Sequence, residues 1–301
     1  MPAQATAATY FKLIGAMFMW GGTWIAGRII AQEVAAPLAV AAIRFVLAGL
    51  VVAGFALGSG RRLPLPADAG AWGVICALAF TGVFLYGLCF FYGLKHLPAG
   101  RGALVVALNP VMVAVLAWLF GQERMHRHKL CGILIALAGC LTVIGNGQPL
   151  ALLDGGVGPG EWLILGCAGS WACYTFIGRR LAQTLPAFAV TFYASLLGAC
   201  FLALAAAVEG GVDLASWSIK VWLGMGFLAI FGTAMAYTWF TAAVHQIGVA
   251  RASVFINLVP VFAVLQAAVL LDEHLGLAVL AGGLLVIAGV WLTSYKKETT
   301  Q

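Results

Sequence analysis

The chain has 301 residues, of which 63% are hydrophobic and only 9% charged, with a formal charge of +6. Soluble domains carry about 25% charged residues, so this composition excludes an ordinary water-soluble fold. The basic residues stand in short clusters between apolar runs and form no aromatic-interleaved stripe, which argues against a nucleic-acid partner.

Apolar runs long enough to cross a hydrocarbon core of about 30 Å follow one another with short polar breaks. The pattern predicts ten helices, at 10–31, 37–57, 72–94, 99–120, 129–147, 161–181, 187–207, 221–244, 251–271 and 276–295. The first run is followed by Ala35 and Ala36, as a cleavable signal would be. However, Gly15, Trp20, Gly27 and Arg28 return as Gly166, Trp171, Gly178 and Arg179 at an offset of 151, so this helix is expected to be retained. Gly58–Gly70 and Gly145–Gly160 are the clearest breaks. The second divides a first repeat (1–147) from a second (161–301), with a linker at 148–160.

Duplication is explicit in the fourth and fifth helices. Arg101, Pro110, Glu123, Gly132 and Gly139 recur as Arg251, Pro260, Glu273, Gly282 and Gly289, each 150 residues later, so successive spacings of 9, 13, 9 and 7 are repeated. A period this long is half a protein rather than a solenoid unit. With the N-terminus inside, 11 Lys and Arg residues fall on the cytoplasmic side against 4 outside, and positively charged loops are retained in the cytoplasm. Both termini are therefore expected to be cytoplasmic. Five spans per half then force opposite orientations on the two repeats. The expected fold class is an all-α polytopic membrane protein of ten transmembrane helices arranged as two inverted five-helix repeats, the architecture behind alternating access.

The ordered set of motifs carries a family resemblance across residues 11–295. Trp20 to Arg28, Arg44-Phe45, the Asn109-Pro110 span ending in Gly121-Gln122-Glu123-Arg124, and Gly132/Gly139 resemble the EamA-type drug/metabolite transporter superfamily. Asp272-Glu273-His274 and Gly282/Gly289 repeat the end of that pattern. The whole is most similar to bacterial YddG-type exporters of amino acids. That resemblance implies export of small amphipathic metabolites, amino acids including aromatic ones first, from a central cavity in a bacterial inner membrane. It also implies no organic cofactor, a small-molecule substrate and the lipid bilayer as partners. An importer or multidrug exporter of the same fold is the alternative.

Candidate transport residues follow from polarity inside apolar spans. Pro110 and Pro260 each remove a backbone donor and free a carbonyl, at Val106 and Ile256, so each should kink its helix as a hinge or a packing bend. Asn109 and Asn257 must face another helix or a wet cavity, because an unpaired amide in hydrocarbon is costly. With a substrate amino acid, such amides and freed carbonyls suit its ammonium and carboxylate. Trp20, Trp24, Tyr86, Phe90, Trp171, Tyr174 and Tyr237 are the aromatics placed to bind apolar side chains or cations, with helix packing as the alternative role. Arg44, about 10 Å deep at 1.5 Å per residue, reads as a structural charge first and a partner for a substrate carboxylate second. Glu123 and Glu273, at span ends facing opposite sides, read as gating or helix-end charges.

Catalysis finds little support. The chain has no paired intramembrane aspartate, Ser170 in Ala-Gly-Ser-Trp lacks the following glycine of a rhomboid-type nucleophile, and five histidines at span ends form no metal-binding pair. A channel is less favoured than a carrier, because inverted repeats with aromatic interiors suit a closed binding site. All seven cysteines read as small core residues without metal spacing. Small residues such as Gly282, Gly283 and Gly289 suit packing within one chain as well as between chains, which leaves the oligomeric state open.

Overall fold

Proline and short polar residues set where the helices begin. Pro37 and Pro159 occupy first turns, where a missing N–H costs nothing. Asp68 accepts a hydrogen bond from Ala71 N (2.7 Å), and Ser218 accepts one from Val221 N (3.4 Å). The computed structural model describes residues 7–122, 126–149, 157–181, 184–210, 214–247, 252 and 255–294. Among these the chain forms helices and no strand.

The helices assemble into ten rods: α1 (Ala7–Glu33), α2 (Pro37–Gly58), α3 (Ala69–His96), α4 (Ala99–Leu119), α5 (Arg127–Ile144), α6 (Pro159–Gly178) and α7 (Ala187–Val208). The eighth, α8, runs from Ile219–Phe227 through Leu228–Met235 into Ala236–Ile247, followed by α9 (Phe255–Leu270) and α10 (Leu277–Ser294). Seven of the described rods are long and apolar enough to cross a membrane. α9 and α10 are shorter apolar helices, and the 20-residue α6 is more polar, carrying Glu161, Ser170, Tyr174 and Thr175. Large apolar side chains stand on the outside, among them Phe11, Leu50, Leu119, Trp162, Val269 and Leu284. An apolar exterior around an apolar core suits lipid as the solvent, and the chain is a multi-pass membrane protein.

That exterior corrects the expectation for the cysteines. Cys89, Cys140 and Cys167 are buried, but Cys76, Cys131 and Cys200 are exposed. A thiol facing hydrocarbon loses no hydration relative to the core, so apolar sequence context does not distinguish the two locations.

Helix pairing follows the duplication. α5 packs along α10 and α2 along α7, while α1 lies on α8 and α9 as α6 lies on α3 and α4. When each helix is replaced by its counterpart five positions away, the α1 and α6 pairings exchange, while α5–α10 and α2–α7 map onto themselves. The α5–α10 contact is a glycine seam. A Cβ built on Gly139 would stand 2.6 Å from Gly282 O and from Val286 N, and one on Gly132 would stand 2.7 Å from Gly289 O. Early residues of α5 thus meet late residues of α10, and the two run antiparallel. α2 and α7 are antiparallel as well, since Gly49 faces Leu196 while Arg61 lies 5.8 Å above the Phe188 ring. Lipid supplies no hydrophobic drive between helices, so close backbone approach and dispersion contacts hold such a seam.

The prolines interrupt their rods. α4 is broken at Ala107–Leu108, with one helical segment ending at Val106 and the next starting at Asn109. In α9 the single 3-10 turn Phe255–Asn257 leads into Leu258–Leu270, with Pro260 in its first turn. α4 ends at Gly121, whose φ of +67° is the left-handed geometry that glycine adopts without strain.

Candidate functional site

Two matched irregularities place the central residues. α3 contains a π-helical stretch at Ala79–Leu85 and α8 one at Leu228–Met235, about 150 residues apart. Tyr86 N bonds back to Thr81 O, and Ala236 N to Phe231 O, across five residues instead of four. A π-turn inserts an extra residue and rotates everything that follows it. Tyr86 comes directly after the first of these turns, and Tyr237 two residues after the second. The sequence reading missed this feature. The signal available was Gly82 and Gly232, repeat mates at which a Cβ would meet Tyr174 at 2.1 Å and Thr23 at 2.7 Å.

Seven predicted aromatics converge from α1, α3, α6 and α8. Trp24 meets Phe90 edge-on (5.1 Å), Phe90 stacks with Tyr86 (5.7 Å), Tyr86 meets Trp171 (5.4 Å), and Trp171 stacks with Tyr174 (5.0 Å). On the other side Trp20 meets Tyr237 edge-on at 5.4 Å, and its indole N–H donates to Gly232 O at 3.0 Å. Trp24 and Phe90 are buried, whereas Trp20, Tyr86, Trp171, Tyr174 and Tyr237 are half-buried. Trp171, Tyr174 and Tyr237, with Tyr86, thus form a half-buried aromatic cluster between the helices. Cys167 of α6 lies within side-chain hydrogen-bond reach of Tyr86.

Arg44 of α2 joins this group. Tyr86 of α3 and Tyr237 of α8 are the titratable groups that face its guanidinium. Its Cζ lies 4.5 Å from the centre of the Phe45 ring. The arginine is thus drawn together with the aromatics from which its sequence reading had separated it.

The amides divide. Asn109 donates through Nδ2 to Ala168 O of α6 at 3.3 Å, an interhelical hydrogen bond. Asn257 is half-buried at the close of the 3-10 turn in α9. Pro260 is buried and Pro110 half-buried.

At the end of the bundle where α1 finishes, polar side chains tie the helices together. Glu273, beyond α9, accepts from Ala99 N (2.9 Å) and Gly100 N (3.2 Å) and lies 3.9 Å from Arg28 Nε. It caps the first turn of α4 from the opposite repeat, where a carboxylate also favours the positive end of the helix dipole. Arg28 donates to Leu94 O, Lys95 to Ala35 O, and Tyr92 to Glu209. Arg101 donates to Val143 O and Ile144 O at the end of α5, and pairs with Glu161 at 3.1 Å. Glu161 passed unremarked in the sequence, although a carboxylate in the first turn of an apolar span is itself a signal. Glu123 and Arg251 lie outside the described residues. Glu273→Ala is expected to cost about 1–2 kcal/mol through the lost cap, with Glu273→Gln retaining part of it, read as thermal midpoints of the purified protein in detergent.

The opposite end is open on one side. A cleft of about 520 Å³ enters between the start of α3, the end of α4 and the end of α6, lined by Gly73, Ala77, Leu116, Phe120, Cys173 and Phe176 among others. Cys173 adjoins Tyr174 in the chain. The corresponding positions in the other repeat are filled. Gln266, counterpart of Leu116, donates to Phe18 O at 3.0 Å, and a Cβ on Gly22 would stand 2.8 Å from Phe227 and 2.9 Å from Gln266 Oε1. A second cavity of about 370 Å³ lies at the Glu273 end between Glu33, Glu209 and Ser218, and none of the central aromatics lines either cavity.

Comparison with known proteins agrees with this architecture. The chain is 30% identical to the uncharacterized transporter YyaM of Bacillus subtilis over 72% of its length and 71% of the relative's. It is 30% identical to the uncharacterized inner membrane transporter YedA of Escherichia coli over 93% and 90%. A crystal structure of a protein 22% identical to it superposes with a TM-score of 0.64, covering 96% of both chains, which shows the fold alone. The model of the EamA-like transporter family matches residues 7–145 and 158–295, nearly the whole chain taken as two segments, and the protein belongs to that family.

Proposed function

We propose that this transporter exports small amphipathic metabolites, amino acids including aromatic ones first, from the cytoplasm of a bacterial-type cell through its inner membrane. The observation that carries the reading is the asymmetry of the two ends. The cleft beside α6 is open while its counterpart beside α1 is packed shut. Two similar halves in unlike packings are what alternating access requires. Antiparallel contact between the counterparts α5 and α10, and between α2 and α7, supports inverted repeats. The excess of Lys and Arg on the α3-start side supports cytoplasmic termini, which makes the open cleft inward-facing.

In this reading the aromatics between α1, α3, α6 and α8 hold the apolar body of the substrate and attract an ammonium through ring faces. Pro110 and Pro260 bend α4 and α9 about the same space from opposite repeats. The test is counterflow of labelled phenylalanine and leucine into proteoliposomes of known orientation, with and without an imposed pH gradient. Uptake above empty vesicles that saturates and is stimulated from the trans side is expected. Absence of any amino-acid flux defeats the amino-acid reading, and non-saturating flux defeats the carrier. In the same assay Pro110→Ala and Pro260→Ala should each lower flux about tenfold with membrane insertion unchanged. Normal flux in both removes the prolines from the mechanism.

A further inference from the structure

We propose that Arg44 is the anion subsite of the central cavity, and that the substrates of this transporter carry a free carboxylate which the guanidinium binds. This rests on the amino-acid reading of the same site and names the group through which it selects.

Arg44 carries donors without a hydrogen-bond partner: Nε and Nη1 are buried and have no acceptor within reach. A cation well inside a span is costly unless it meets a counter-charge or water, and buried guanidinium donors are normally matched. Among the described residues no carboxylate pairs with Arg44, whereas Arg28, Arg101 and Lys220 each have one. The residue as a whole is half-buried and faces Tyr86 and Tyr237, which are themselves half-buried and members of the aromatic cluster.

The neighbourhood selects the kind of anion. Two phenol hydroxyls supply neutral donors beside a single cation. That combination matches one carboxylate, which takes a paired bond from the planar fork and further donors at its remaining lone pairs. A phosphate dianion calls for more positive charge than the described interior offers. Trp20 meets Tyr237 and Trp171 meets Tyr86, so each tyrosine facing the guanidinium carries an indole that suits the apolar part of the same molecule.

The empty carrier must bury an unpaired cation as it reorients, whereas the loaded carrier buries a neutralised pair. Exchange is therefore faster than net efflux.

The test uses four probes: phenylalanine, its methyl ester, phenethylamine and 3-phenylpropionate. Each is assayed as a competitor of counterflow and as a stabiliser of the purified full-length protein against thermal unfolding. The two acids should act at concentrations at least about tenfold below the ester and the amine, the loss of one charge-assisted bond. Arg44→Gln should abolish that preference, and Arg44→Lys should restore part of it. Should Arg44→Gln fail to insert, Tyr86→Phe and Tyr237→Phe provide the second measure, and each should narrow the gap between acid and ester.

The outcomes separate the two claims. If acid and ester act equally while phenylalanine is transported, or if Arg44→Gln or both phenylalanine variants keep the full preference, the carboxylate site is overturned and amino-acid transport stands. If 3-phenylpropionate binds with the acid preference but no amino acid moves, the site stands and the amino-acid reading fails. If none of the four binds or moves, both fail.

Discussion

Gly289→Leu is expected to produce the largest loss of stability of any single change in the chain. A Cβ at this position would stand 2.4 Å from Ala136 N and 2.5 Å from Gly132 O, both backbone atoms of α5. Backbone does not turn aside as a side chain does, so α5 and α10 must separate along their length. Overpacking of this kind costs about 3 kcal/mol, and in a protein of this size that lowers the thermal midpoint by about 6–12 °C. Thermal unfolding in detergent checks it, with Gly226→Leu as the control because nothing stands within 4 Å of a Cβ there. Equal midpoints for the two variants would show that the seam is not close-packed.

Trp171→Ala is expected to have the largest effect on transport. The indole stacks on Tyr174 and meets Tyr86, so its removal takes two aromatic contacts from the central cluster. Each such pair contributes about 0.5–1.5 kcal/mol, which together correspond to a fall of about five- to 150-fold in counterflow at limiting substrate. Trp171→Phe should recover most of it. Trp162→Ala, in the same helix but 64% exposed on the outside, should transport as the parent does. If the two alanine variants behave alike, the aromatic cluster is packing and the substrate passes elsewhere.

The glycines and the tryptophan illustrate two degrees of legibility. Gly132, Gly139, Gly282 and Gly289 stood out because they repeat, but spacing alone does not reveal what a glycine touches. In the structure they face each other across the two halves. Glu273 behaves in the same way, since its partner is the start of α4 in the other repeat. The residues that announced the duplication are largely those that join its copies. Trp20 and Trp171 were readable as repeat mates, yet their neighbours differ. Trp20 bonds to the π-turn of α8, whereas Trp171 lies between Tyr86 and Tyr174. Three residues after each tryptophan, the side chain that packs on the opposing π-turn is Thr23 in one half and Tyr174 in the other, so the duplicated scaffold is asymmetric at its centre.

Other features left no trace in composition or periodicity. The π-turns in α3 and α8 add one residue to a helix without changing its hydropathy. Arg44 gave its depth but not its surroundings, because helix spacing places a side chain on a face and leaves open what lies opposite. Helix ends were legible to within a few residues, since Pro, Gly and capping side chains act locally.

By itself the sequence determined the solvent, the rods, their breaks and the twofold duplication. Each of these depends on local polarity, backbone chemistry or self-similarity, all of which are written along the chain. Only the tertiary structure decided that the repeated glycines and Glu273 form the joint between halves, that the aromatics and Arg44 come together, and that the cleft beside α6 is open while its counterpart beside α1 is packed. Contacts between residues 150 or more apart depend on how rods meet in three dimensions, and two halves with nearly the same pattern do not reveal from sequence which of them stands open.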